Sequence, residues 1–150
     1  MEYGYNDSAY GIFTQIIRLH YHRTHESLEK YGIYPGQPPL LFEVAHRDGL
    51  SQKELCERLH IKPATITVML QRMESVGLLE KRQDLNDQRI SRVYLTEHGK
   101  KVVEQVKIVT KEIEEECFSN FTQEEKVLIR RLFMQIRDNL TYFSDKNIEE

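Results

Sequence analysis

Long apolar runs are scarce in this 150-residue chain. Among the longest is "PLLF", Pro39 to Phe42, far short of the roughly 20 apolar residues of a membrane-spanning helix. The start, "MEYGYNDSAY", has neither the basic segment nor the apolar stretch of a secretion signal. These absences argue against a membrane-embedded or exported role, and the expectation is a cytoplasmic protein with no membrane partner. Cysteine is sparse as well. Cys56 and Cys117 lack CxxC spacing and each falls inside a helical pattern, which argues against a disulfide framework and suits two reduced thiols. The chain has no GxSxG, no Walker loop, no GxGxxG and no acid pair whose spacing ties to a cleft. Catalysis is therefore not expected, and neither catalytic residues nor a cofactor is assigned.

What the chain does have is a globular balance, with 39% hydrophobic and 30% charged residues, the charged share pointing to helices with solvated faces. The length suits one well-buried core. The net charge of −3 is unevenly spread. Residues 61 to 101 carry 8 Lys and Arg against 5 Asp and Glu, while residues 1 to 60 carry 6 against 8 and residues 102 to 150 carry 7 against 11. Only the middle block is net basic. A polyanion can bind there despite the overall sign, although ordinary surface variation gives such counts too.

Apolar spacing predicts a first helix from about Ser8 to Tyr31, through Ile12, Ile16, Leu19, Leu28 and Tyr31. The glycines and prolines of "YGIYPGQPPLL" stop it, and a second helix is expected over Leu40 to His46. "SQKE" is a capping box for a third helix beginning at Ser51, with Leu55 and Leu59 on its buried side. After "HIK", Pro63 occupies a first helical position, and a fourth helix runs to about Val76 with Gly77 as its stop. Two short helices with a tight link are a helix-turn-helix candidate, or an ordinary helical hairpin in an all-α core. "GLLEKRQ" and "ISRVYLT", parted by "DLND", then read as a two-stranded hairpin. That combination makes a winged helix. Thr96 caps a long fifth helix carrying Val102, Val103, Val106, Val109 and Ile113. Thr122 and Glu125 form a second capping box, opening a sixth helix with Leu128, Ile129, Leu132, Phe133, Ile136, Leu140 and Phe143.

On the fourth helix, a 100° advance per residue puts Ile66, Met69, Leu70 and Met73 on one buried stripe. The opposite side carries Ala64, Thr67, Val68, Gln71 and Ser75, flanked by Thr65 and Arg72. Such a face is either an ordinary solvated side or one that enters a major groove, where Gln71 can pair with adenine and Val68 can pack on a thymine methyl. Lys62 sits at the N-cap, where lysine cannot accept the free amides, an omission worth about 0.5–2 kcal/mol. A phosphate would meet both its ammonium and those amides.

The segment Leu50 to Lys100, with "QKEL", "PATIT", "GLLEKR", "D-x-x-D-x-R" and "LTEHG" in order, resembles the winged-helix core of the MarR family of bacterial transcriptional regulators. The resemblance implies a mainly α fold with a small β-hairpin wing. Its winged helix-turn-helix core would cover about 37–99, flanked by helical dimerisation regions at about 8–31 and 100–145 of a single domain. It further implies a homodimer built on the first, fifth and sixth helices, acting as a repressor on a pseudo-palindromic operator in double-stranded DNA. By that match Arg89 enters a minor groove and Asp87 positions it. The expected DNA-binding residues are Lys62, Ala64, Thr65, Thr67, Val68, Gln71, Arg72, Arg82, Asp87 and Arg89. The chain departs from the family at Leu85, where proline is frequent, at Gln88 and Val68, where arginine is frequent, and at His60, where glycine is common.

The same resemblance suggests a small-molecule effector in a cleft between the dimer helices and the winged core; Tyr21, His22, Tyr34 and Phe42 have the chemistry to wall it, and plain core packing is the other reading of each. His20, His22 and His25 raise a metal-sensing alternative. On a helix, however, only His22 and His25 share a side, and no metal site is assigned. Cys56 raises a redox alternative without a clear basic neighbour, and Cys117 has Glu114, Glu115 and Glu116 beside it, acids that disfavour a thiolate. A winged helix serving only protein contacts is the other alternative, and it leaves the basic hairpin unexplained.

Overall fold

The computed structural model describes residues 4–146; the first three residues of the "MEYGYNDSAY" start lie outside the described residues. The chain divides into two compact units, Met1–Ile113 and Glu114–Glu150. In the first, α1 (Ala9–Leu28) begins at Ser8, whose hydroxyl accepts the Gly11 amide at 3.0 Å. A 3-10 turn, Glu29–Tyr31, follows it and ends at Gly32. α2 spans Pro38–His46, starting two residues earlier than the sequence suggests. Pro38 and Pro39 break the preceding chain but open this helix, because the first turn needs no amide donor from either.

α3 (Gln52–Leu59) has the expected capping box. The Glu54 amide donates to the Ser51 hydroxyl at 3.2 Å, and the Ser51 amide donates to the Glu54 carboxylate at 2.8 Å. The helix ends at His60, with φ +52°. This is a left-handed conformation that glycine adopts freely and that is strained for a residue with a Cβ. α4 (Pro63–Ser75) follows, and Gly77 at φ +75° closes it.

The hairpin consists of β2 (Leu79–Gln83) and β3 (Ser91–Leu95), paired antiparallel with Leu79 opposite Leu95 and Gln83 opposite Ser91. A two-residue strand, β1 (Leu50–Ser51), pairs with the other side of β3, giving the order β1-β3-β2. The sequence reading has no counterpart for β1, since two residues cannot display a period of two. α5 (Glu97–Cys117) is capped by the Thr96 hydroxyl, which accepts the Gly99 amide at 2.9 Å and donates to the Gly77 carbonyl at 2.6 Å. A Cβ on Gly99 would lie 2.0 Å from the Leu78 carbonyl oxygen. Only glycine therefore lets α5 start this close to the sheet.

The core lies within the first unit and joins Leu28, Leu41, Leu55, Ile66, Leu70 and Val106, among others, all fully or almost fully buried. Val102, Val103, Val106, Val109 and Ile113 of α5 are buried as their spacing predicts. In the second unit, α6 (Gln123–Lys146) opens with the expected Thr122–Glu125 box, at 2.8 and 3.2 Å. Leu128, Leu132, Phe133, Ile136, Leu140 and Phe143 are exposed, as are Ile12, Ile16 and Leu19 of α1. Among the described residues no helix is long and apolar enough to cross a membrane.

Candidate nucleic-acid interface

α4 separates its two faces cleanly. Ile66, Leu70 and Met73 are buried and Met69 is packed against the core, while Ala64, Thr65, Val68, Gln71, Arg72 and Ser75 are exposed. Thr67 is the exception on the polar side. Its hydroxyl donates to the Pro63 carbonyl at 2.8 Å and accepts from Gln52 Nε2 at 2.6 Å, so its polar capacity ties α4 to α3. Thr65 is the threonine left facing solvent. Lys62 is exposed at the N-cap with no side-chain cap bond. Arg72 lies over the Tyr34 ring, 5.4 Å from its centroid.

The wing tip is built by carboxylates. Asp84 Oδ1 accepts the amides of Asn86 and Asp87 at 2.8 and 2.9 Å, an Asx-type turn that short acidic side chains form readily. The Ile90 amide closes the tip on the Asp87 carbonyl at 2.9 Å. Asp87 in turn receives Arg89 three times, from its amide, its Nε and its Nη2, each at 3.0 Å. The Arg89 side chain is nonetheless 90% exposed. A two-pronged contact of this kind fixes the direction of the guanidinium and leaves its outer edge open. The Arg89 guanidinium, and then its amide, hold the Asp87 carboxyl below its ordinary range. Asp84 is held lower, at about 2, chiefly by the Arg92 side chain and then by the Asp87 and Asn86 amides. Arg82, on β2, pairs with Glu80 and covers the Tyr94 ring at 4.6 Å. Leu85, at the tip, is fully exposed.

The four residues expected to wall an effector cleft are divided. Tyr21 lies 6.1 Å from His22 and 6.3 Å from His25 between ring centroids, and His25 lies 5.9 Å from Tyr34. Arg72 joins this aromatic group through Tyr34. Phe42 lines a cavity of about 400 Å³ with Ala45, His46, Lys107 and Thr110, none of which is among the rings of that group. Among the described residues no group of three His, Cys, Asp or Glu side chains is placed to hold a metal ion. Cys56 is half-buried and Cys117 exposed, both as free thiols. Sequence reasoning missed two contributors to this surface: Gln52, and Arg92, whose partners come from segments far apart in the chain.

Comparison with known proteins places this geometry in a family. Residues 33–91 match the MarR family. The chain is 30% identical over 119 residues to the uncharacterized HTH-type transcriptional regulator YwoH of Bacillus subtilis (strain 168), covering 79% of this chain and 86% of that one. It is 32% identical over 100 residues to the HTH-type transcriptional repressor MdtR of the same organism, covering 67% and 64%. The crystal structure of the S. aureus MepR–DNA complex is similar in fold, with a TM-score of 0.78, 22% identity and coverage of 89% of this chain and 96% of that one.

Proposed function

Because the chain belongs to the MarR family of transcriptional regulators, we propose that it acts as a homodimeric, sequence-specific repressor of a pseudo-palindromic operator in the cytoplasm. The observation that carries this reading is Arg89, aimed outward by Asp87 from a wing that directly follows the exposed face of α4. In this reading each α4 lies in a major groove, with Gln71 and Val68 at base edges and Thr65 and Lys62 toward phosphates. Arg89 enters the neighbouring minor groove, where a narrow width concentrates negative potential. Asp87 orients it without cancelling its reach. Arg82 and Arg72, each lying over a tyrosine ring, flank the contact.

Dimerisation through α1, α5 and α6 is supported by the exposed apolar faces of α1 and α6, which in water favour association. The relatives bear on the finer points. MdtR is named a repressor, and MepR is solved with DNA. An aromatic or anionic effector fits the group of Tyr21, His22, His25 and Tyr34, with Arg72 of α4 at its edge. Binding there would act through its differential affinity for DNA-competent and incompetent arrangements of the dimer.

The test is selection of bound fragments from a random duplex library by the purified protein, with Arg89→Ala run in parallel across a salt series. A two-fold symmetric motif is expected, with Arg89→Ala weakening binding roughly tenfold to a hundredfold, about 1–3 kcal/mol, and leaving dimerisation intact. Recovery of no motif, or a variant that binds as tightly as the native protein, would contradict the assignment.

A further inference from the structure

Arg92 stands on β3 with Ser51 of β1 as its neighbour on one side and Arg82 of β2 on the other. Its side chain is one-third exposed and its guanidinium is bonded in two directions. Nε donates to Asp84 Oδ2, while Nη1 donates to the Gly49 carbonyl at 2.8 Å and to Glu54 Oε2 at 3.5 Å. Each of its acidic partners has a second role. Asp84 shapes the start of the wing tip through the Asn86 and Asp87 amides, and Asp87 holds Arg89. Glu54 completes the capping box of α3, and α3 is tied to α4 by the Gln52–Thr67 bond. A continuous chain of polar contacts thus runs from α4 through α3, Glu54, Arg92, Asp84 and Asp87 to Arg89.

We propose that Arg92 is a positioning residue of the DNA interface, locking the wing tip to the first turn of α3 so that Arg89 and the exposed face of α4 keep one fixed spacing. The inference rests on the regulator reading, since that spacing matters only when both elements engage one duplex. A planar guanidinium suits the role because its fork reaches acceptors on separate segments at once, which a single ammonium on a flexible stem does not.

The test uses the full-length protein, the duplex recovered by selection, and binding titrations of Arg92→Lys and Asp84→Asn, each in the native and the Arg89→Ala background. By charge alone Arg92→Lys is neutral, and Asp84→Asn tightens binding to a polyanion. The positioning role predicts the opposite for both, a loss of about tenfold. Little further loss is expected once Arg89 is alanine, because the tip then has nothing to deliver. Equal losses in both backgrounds, or tighter binding by Asp84→Asn, overturn the proposal. Should Arg92→Lys fail to fold by circular dichroism, Asp84→Asn decides alone. Absence of duplex binding by the native protein refutes the regulator reading itself, a failure distinct from additive losses in a protein that does bind.

Discussion

On α4, Ile66, Leu70 and Met73 are at most 1% exposed, whereas on α6 the similarly spaced Leu132, Phe133 and Ile136 are 37 to 40% exposed and Leu140 reaches 59%. The two stripes have the same helical logic and opposite fates. α1 contains both conditions, with Thr24 and Leu28 buried and Ile12, Ile16 and Leu19 exposed. The contrast separates two uses of apolar surface. Around α4 it fixes the helix pair and wing that carry the proposed reading surface. Along α6 and the early part of α1 it remains exposed, and in the proposed dimer that surface would join two copies of the chain.

The strongest way to break this contrast is Leu132→Glu, which places a charge in the α6 stripe. Sedimentation should show a monomer with its helix content retained, and operator affinity should fall on the order of a hundredfold or more as two tethered half-site contacts become one. A dimer that survives would remove α6 from the interface. Leu70→Ala is the counterpart on the buried stripe. It should cost about 2–5 kcal/mol of stability, read from the urea midpoint. A change within experimental error would mean that the α4 stripe does not carry the fold.

Gln71→Ala probes the opposite face of α4, where little stability is at stake. Stability should stay within about 0.5 kcal/mol, while base preference at one operator position relaxes by about 1–3 kcal/mol. Selection with the variant reads this directly, and an unchanged preference at every position would exclude Gln71 as a base reader. The smallest effect concerns pH. The Asp84 carboxyl titrates at about 2 in the folded protein, against an ordinary 3.8. Because the folded value is depressed, its contact with Arg92 contributes fully above about pH 4 and is lost as pH falls toward 2. A carbon-13 titration of that carboxyl should show a midpoint well below 3.8 that moves back up in Arg92→Gln. A native midpoint at 3.8 would dissolve the ion pair.

Much of this architecture is legible in the sequence because its signals are local. Capping boxes at Ser51 and Thr122, the cap at Thr96, Pro63 at a helix start and the valines of α5 each declare themselves within a few residues. Losses occur where a role depends on distant partners. Pro38 and Pro39 look only like breakers until the helix they open is seen, and β1 exists only through its pairing with β3. Thr67 reads as a free hydroxyl on a groove-facing side, but Gln52, fifteen residues earlier, occupies it. Phe42 shares the aromatic chemistry of Tyr21 and Tyr34 without sharing their location. Arg92 resembles any strand arginine until Gly49, Glu54 and Asp84 converge on it. Nor does spacing alone separate the buried stripe of α4 from the open one of α6, since periodicity reports a face and not what covers it.

The most direct measurement is a hydroxyl-radical footprint of the native protein on its selected operator, with the mass of the complex determined alongside. Two chains per duplex and a two-fold symmetric pattern of backbone protection are expected, with minor-groove protections that disappear in Arg89→Ala. A single asymmetric footprint from one chain, or minor-groove protection that persists without Arg89, would contradict the proposed function.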